Sequence, residues 1–187
     1  MMRKLILILA LMASPLAAQD FSETSEAKSW NLYGEVPARF KAKVVDVLCE
    51  LTGDCAANCG QGKRQLGLIR TADDVMVLAM KNSQAAFTGA AEELAPYCNQ
   101  VIEVDGLMIE DEDVGASNIY LVQRIKSGDA DWIKANSWTK KWAAKYPEAK
   151  GKGPWFRRDP RIKSIIASEG YLGLGLEADD TYAEENF

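Results

Sequence analysis

Gln65-Leu66-Gly67-Leu68-Ile69-Arg70-Thr71-Ala72-Asp73-Asp74-Val75-Met76-Val77-Leu78-Ala79-Met80 decides the fold. Two short apolar runs, Gln65 to Arg70 and Val75 to Met80, flank the polar turn Ala72-Asp73-Asp74, and this pattern predicts an antiparallel hairpin. Upstream, Phe40 to Leu51 is β-branched and alternates in part at Val44, Val45, Val47 and Leu48, so a strand precedes the hairpin. The loop between them carries cysteines and is punctuated by Gly53, Gly60 and Gly62. Downstream the period changes: Phe87, Ala90, Ala91 and Leu94 recur at helical spacing across residues 84–95, and Pro96 ends the helix. Val101 to Ile109 and Ile119 to Ile125 predict two further strands, with Glu110 to Ser117 between them. The order β-β-β-α-β-β is that of an OB-fold, a small five-stranded Greek-key barrel with one helix.

The same residues carry a resemblance. Ala42-Lys43-Val44-Val45-Asp46-Val47-Leu48-Cys49, then Cys55-x3-Cys59, then Gln65-Leu66-Gly67-Leu68, is similar to a group of small exported bacterial OB-like domains. Those domains run G-x-V-V-D-x-x-C, a glycine-rich Cys-x3-Cys loop and G-L-L, and end in a strand like Val101 to Gly106. The resemblance covers about residues 40–126 and implies the barrel, not an activity. Such relatives often carry a histidine in the cysteine loop, and this chain has none.

Around the barrel, taken as residues 39–127, three further segments are expected. Residues 1–18 have the order of a secretory signal: the cationic Arg3-Lys4, an apolar run from Leu5 to Ala13, and small residues before Gln19. That run of about nine residues is far short of the roughly 20 a membrane-crossing helix needs. Residues 19–38 are polar and form an N-terminal arm, expected to be mobile, with Trp30 to Gly34 docking on the body. Residues 128–187 form a basic, aromatic, helical extension with an acidic tail. The mature chain is thus expected to be soluble, exported and, in a bacterium, periplasmic.

Export changes the meaning of Cys49, Cys55, Cys59 and Cys98. An even count in an oxidising compartment points to two disulfides, and four cysteines allow three connectivities. Thiolate metal sites usually show paired C-x2-C knuckles, whereas the intervening lengths here are five, three and thirty-eight residues. A redox or Cu(I)-handling pair of Cys55 and Cys59 is the alternative. Redox dithiols are more often C-x-x-C at a helix N-terminus.

The chain has 187 residues, 22 Lys plus Arg, 27 Asp plus Glu and no histidine. Without histidine there is no Ser-His-Asp or Cys-His catalytic unit, no His-ligated zinc or haem and no imidazole switch. No phosphate-binding loop, dinucleotide fingerprint or nucleophile motif is present, and the residues name no cofactor, metal or catalytic group. Charge is unevenly distributed. Residues 132–163 hold ten basic and two acidic side chains, a net +8, whereas residues 164–187 hold six acids and no base.

The basic segment is also aromatic. Trp138, Trp142 and Tyr146 recur every four residues and predict one face of a helix from about Asp131 to Lys145, stopped by Pro147. Asp159-Pro160 predicts the start of a second helix, with Ile162, Ile165 and Ile166 on one face and Gly170 at its end. The apolar stretch Tyr171 to Leu176 is expected to pack in extended form ahead of a mobile acidic end.

Three readings compete for this segment. Its tryptophans can pack helices onto the barrel beneath a solvated lysine face. It can grip single-stranded nucleic acid, since OB-folds bind strands and oligosaccharides with aromatic and basic grooves. Export, the negative net charge and the run Glu110-Asp111-Glu112-Asp113 in a strand-gripping loop all disfavour a polyanion. That run lacks the spacing of a calcium loop and reads as a solvated turn. The third reading is docking of a periplasmic protein, with peripheral membrane contact a lesser variant. On it, the contact residues are Lys134, Trp138, Lys140, Lys141, Trp142, Trp155, Arg157 and Arg158. The expected function is therefore that of a non-enzymatic binding or accessory protein.

Overall fold

The computed structural model describes residues 20–31, 34–80 and 91–187. The signal-like residues 1–18, and most of the helix expected over 84–95, lie outside them.

Strand β1 (Glu35–Asp46) is shared by two neighbours. It pairs antiparallel with β4 (Val101–Asp111) from Glu35↔Ile109 to Lys43↔Val101, and its second half pairs with β2 (Leu66–Arg70) from Ala42↔Arg70 to Asp46↔Leu66. The expected hairpin is present: β2 pairs with β3 (Met76–Met80) through Gly67↔Leu78, Leu68↔Val77 and Ile69↔Met76. Arg70 spans its turn to Asp73 at 2.7 Å. β5 (Ala116–Lys126) pairs antiparallel with β4 and parallel with β3, through Leu78↔Ile119, Ala79↔Tyr120 and Met80↔Leu121. The last pairing closes the circuit β1-β2-β3-β5-β4, a five-stranded mixed barrel of the OB type.

Period-two alternation fills the barrel. Ala38, Phe40, Ala42 and Val44 of β1 point inward with Leu66, Leu68, Val77, Val104, Val122 and Ile125. Tyr120 is fully buried among them, and its hydroxyl donates to the Ala38 carbonyl at 2.7 Å. Burial, with the nearby Asp105 charge second, pushes its phenol well above the ordinary value. Gly106 permits the tight β4–β5 approach, because a Cβ there would lie 2.2 Å from the Leu121 carbonyl oxygen.

Several elements depart from the sequence reading. The first strand, expected over Phe40 to Leu51, begins at Glu35 and stops at Asp46. There the Asp46 carboxylate accepts from the Leu48 amide and starts helix α1 (Val47–Thr52), which Gly53 closes at φ 76°. Capping at both ends outweighs the strand preference of Val47 and Leu48. Of the helix before Pro96, the described part is α2 (Ala91–Leu94), followed by a tight turn over Ala95–Tyr97.

The arm is tied to the barrel at its beginning. Phe21 packs edge-on against Phe40 with centroids 5.4 Å apart, and its carbonyl accepts from the Arg39 amide at 2.8 Å. Lys28 exchanges two hydrogen bonds with the Gln123 side chain, at 3.0 and 2.8 Å.

The helix expected from Asp131 starts later. Ile133–Lys134 form a sixth strand, β6, on the free edge of β5, and helix α3 spans Trp138–Lys145. The β5 edge offers unpaired backbone groups, and the chain takes them before it turns helical. Helix α4 (Pro160–Glu169) follows with its expected Asp159 cap, and helix α5 (Leu176–Asn186) occupies the acidic end. Among the described residues no helix is long and apolar enough to cross a membrane.

Candidate interaction surface

The C-terminal lobe is organised around one buried carboxylate. Asp159 accepts from the Arg161 and Ile162 amides, which caps α4, and from the Trp142 indole Nε1 at 2.7 Å. Arg161 adds an ion pair at 2.8 Å. The Arg161 guanidinium first, and the Trp142 donor and Arg161 amide after it, hold this carboxyl far below the usual carboxylate range against the opposing effect of burial. The pair Asp159-Pro160 predicts the cap alone. Its bond to a tryptophan seventeen residues earlier has no local signature.

Tryptophans pack around that pin. Trp142 is buried, and Trp155 lies 5.8 Å from it and 4.1 Å from Trp138, ring centre to ring centre. The Arg158 guanidinium sits 5.3 Å from the Trp142 ring and donates to the Ala149 carbonyl at 2.8 Å. Lys141 reaches across to the barrel side and pairs at 2.8 Å with Glu93, a buried residue on α2.

The eight residues assigned to docking therefore divide into two groups. Trp138, Trp142, Trp155, Lys141 and Arg158 serve the interior of the lobe or its seam with the barrel. Lys134, Lys140 and Arg157 are exposed, as are Lys145, Lys150, Lys152 and Lys163. Among the described residues none of these seven cations forms a salt bridge. Composition alone does not separate the cations that pack from those that are solvated.

Trp132 lies outside the helix it was assigned to. Its ring sits 4.8 Å from the guanidinium carbons of both Arg39 and Arg124. Arg124 pairs with Glu26 at 2.7 Å and with the fully buried Asp105 at 2.5 Å, and Arg39 pairs with Glu103 at 2.7 Å. Asp105 also accepts from the Ser25 hydroxyl at 2.6 Å. One charged cluster thus binds arm, barrel and the start of the extension. Its residues are more than 80 positions apart at the extremes, which no motif could reveal.

The cysteine loop is doubly pinned. Cys49 joins Cys55, and Cys59 joins Cys98, so Cys55 and Cys59 belong to different disulfides. Between the two, Asn58, Cys59, Gly60 and Gln61 adopt left-handed φ of 50°, 50°, 72° and 52°. Each non-glycine residue held there costs roughly 1–2 kcal/mol, which the bridge to Cys98 helps to maintain. A shallow depression of about 300 Å³ is lined by Ala56, Ala57, Gly60, Gln61, Lys63 and Arg64. Arg64 is committed to Asp46 at 3.1 Å and Asp54 at 3.2 Å.

The acidic run forms the end of β4 and a one-turn helix over Glu112–Val114. Asp111 accepts from the Asp113 amide at 3.1 Å and the Gly34 amide at 2.8 Å, and Glu110 from the Asn118 amide at 3.2 Å. These bonds use two of the four carboxylates to shape a turn.

The stretch Tyr171 to Leu176 is not packed. Tyr171 is 81% exposed and Leu174 78%, with Leu172 and Leu176 also exposed. Asp179 fixes the loop, accepting from the Tyr171 and Leu172 amides. Comparison with known proteins found no matching family model, no matching curated protein and no matching solved structure.

Proposed function

We propose that this chain is an exported, non-enzymatic binding protein that docks an acidic protein partner through the cationic face of its C-terminal lobe. The observation that carries the reading is the division of labour in that lobe. Its tryptophans and three of its cations, Lys141, Arg158 and Arg161, are consumed in packing and pairing, which leaves Lys140, Lys145, Lys150, Lys152 and Arg157 exposed and without a carboxylate partner among the described residues. Unpaired cations on a scaffold held by Asp159 raise the local concentration of an acidic surface and speed encounter, over a Debye length of about 8–10 Å. The chain as a whole is acidic, with 27 acids against 22 bases, so non-specific capture of polyanions is opposed. Two disulfides support an oxidising destination.

The test reverses exposed cations that make no side-chain contact among the described residues and leaves the structural ones in place: Lys140→Glu, Lys150→Glu, Lys152→Glu and Arg157→Glu. Immobilised wild type and variant are compared on extract of the exporting compartment, at low and at high salt. A partner held by wild type, released by salt and lost by the variant is expected. Equal retention of the same proteins by both overturns the reading. Lys141 and Arg158 stay unchanged, because their loss would leave Glu93 unpaired or uncover Trp142.

A further inference from the structure

Between α3 and the one-turn helix Trp155–Arg157 the chain crosses a stretch that nothing ties down. Residues 150–154, Lys-Gly-Lys-Gly-Pro, are all exposed. Gly151, Lys152 and Gly153 make no hydrogen bond among the described residues. Gly153 holds φ 90° with no atom within 4 Å of where a Cβ would lie, so its backbone is open to a large body from outside. The other exposed lysines of the described residues sit differently. Lys41 and Lys134 belong to strands, and Lys140, Lys141, Lys145 and Lys163 to helices. The Lys28 backbone exchanges two hydrogen bonds with Gln123, and the Lys63 amide is bonded to Gly60 inside the loop that Cys59–Cys98 closes.

An endopeptidase must draw the residues around the scissile bond into an extended strand. It does so without unfolding its target only where no ladder or helix holds them, and exposed tips of small and polar residues are where folded chains are nicked. The segments on either side of this stretch are tied to each other across it. Trp142 donates to Asp159 at 2.7 Å, the Trp155 ring centre lies 4.1 Å from that of Trp138, and the Arg158 guanidinium donates to the Ala149 carbonyl at 2.8 Å. No disulfide crosses it, because all four cysteines precede it. A cut therefore leaves two pieces joined by packing and polar bonds alone.

From these observations, we infer that residues 150–154 are a proteolytic processing site, at which an endopeptidase that cleaves after lysine opens the bond following Lys150 or Lys152 and leaves a folded, two-piece lobe. The step is a hydrolysis: water supplies the hydroxyl of the new lysine carboxyl and the proton of the new glycine amine. After the cut, α4 and α5 stay in place only while the tryptophans and Asp159 hold them, so release of the C-terminal piece becomes a step that the intact chain does not have. The site shares Lys150 and Lys152 with the proposed docking face, but it needs no partner and is read without one.

Brief digestion of the full chain with trypsin at neutral pH tests it, read by mass spectrometry, by a denaturing gel without reductant and by size exclusion under native conditions. Within residues 91–187 the first cut is expected after Lys150 or Lys152. The two pieces should separate on the gel yet leave the column as one peak, with tryptophan fluorescence unchanged. Lys150→Gln with Lys152→Gln alters two exposed side chains that touch nothing, so it should fold as wild type does. It should slow cutting of this span by more than about tenfold, since the next basic residues, Arg157 and Arg158, are held in a turn that must open first. Any of four results overturns the inference. They are a span that resists trypsin, a first cut at Lys140, Lys145, Arg157 or Lys163 with the loop intact, a double variant cut as fast as wild type, and pieces that part on the column as soon as the bond is broken.

Discussion

The barrel and the C-terminal lobe are held together by different physics. In the barrel, Val44, Leu68, Val104 and Ile125 are at most 1% exposed, and the strand circuit leaves few backbone groups unpaired. In the lobe, α4 and α5 bury nothing, and order depends on Trp142, its stacked neighbours and the Asp159 carboxylate. Apolar closure resists opening as a unit. A lobe standing on one polar pin can open by itself, at a free energy below that of the whole fold. The proposed docking surface can therefore move or be remodelled without risk to its scaffold.

The largest effect should come from the barrel's own staple. Cys59–Cys98 spans 39 positions and Cys49–Cys55 only 6. Loop-closure entropy assigns about 4 kcal/mol to the first and about 2 kcal/mol to the second. Urea unfolding of Cys59→Ser with Cys98→Ser should show about twice the loss seen for Cys49→Ser with Cys55→Ser. Equal losses would mean that the left-handed turn, and not the length of chain closed, sets the value of the bridge.

What could be foreseen follows the same division. The hairpin of β2 and β3, and the strands β4 and β5, were legible because each is an apolar run bounded by local turn signals. The end of β1 is not legible because Val47 and Leu48 favour strands, while Asp46 and Gly53 punctuate a helix. In the lobe, the start of α4 was visible in Asp159-Pro160, yet β6 was not. Two residues make no pattern, and their partner on β5 is supplied by tertiary structure. Cysteine pairing was open because spacing fixes no connectivity. Tyr171 to Leu176 misled most, because apolar composition stands for burial only when a partner surface lies within the same chain.

A smaller effect, confined to the lobe, should follow Trp142→Phe. The ring largely survives, but the buried carboxylate of Asp159 loses the donor at 2.7 Å. Leaving such a group short of a partner costs about 1–3 kcal/mol. Hydrogen exchange should quicken in α3 and α4 while the strands keep their protection. If the strands quicken equally, the lobe and barrel unfold together and the contrast between them fails.

The smallest effect at neutral pH, and the most selective, is the dependence on acid. Asp159 titrates below its ordinary range because Arg161, Trp142 and the α4 amides favour its ionised form. A carboxyl whose folded value lies below its unfolded value adds stability that is fully present above the unfolded value, about pH 4. That stability is lost as pH falls through the folded value. Tryptophan fluorescence, dominated by the lobe's Trp138, Trp142 and Trp155, should accordingly stay flat down to about pH 4 and then shift. Far-ultraviolet dichroism of the barrel should hold to lower pH, since most of its buried side chains are apolar. Asp159→Asn removes the titrating group, so its fluorescence should already sit near the acid-shifted value at pH 7 and change little below it. A variant that keeps the wild-type acid transition would show that Asp159 does not set it.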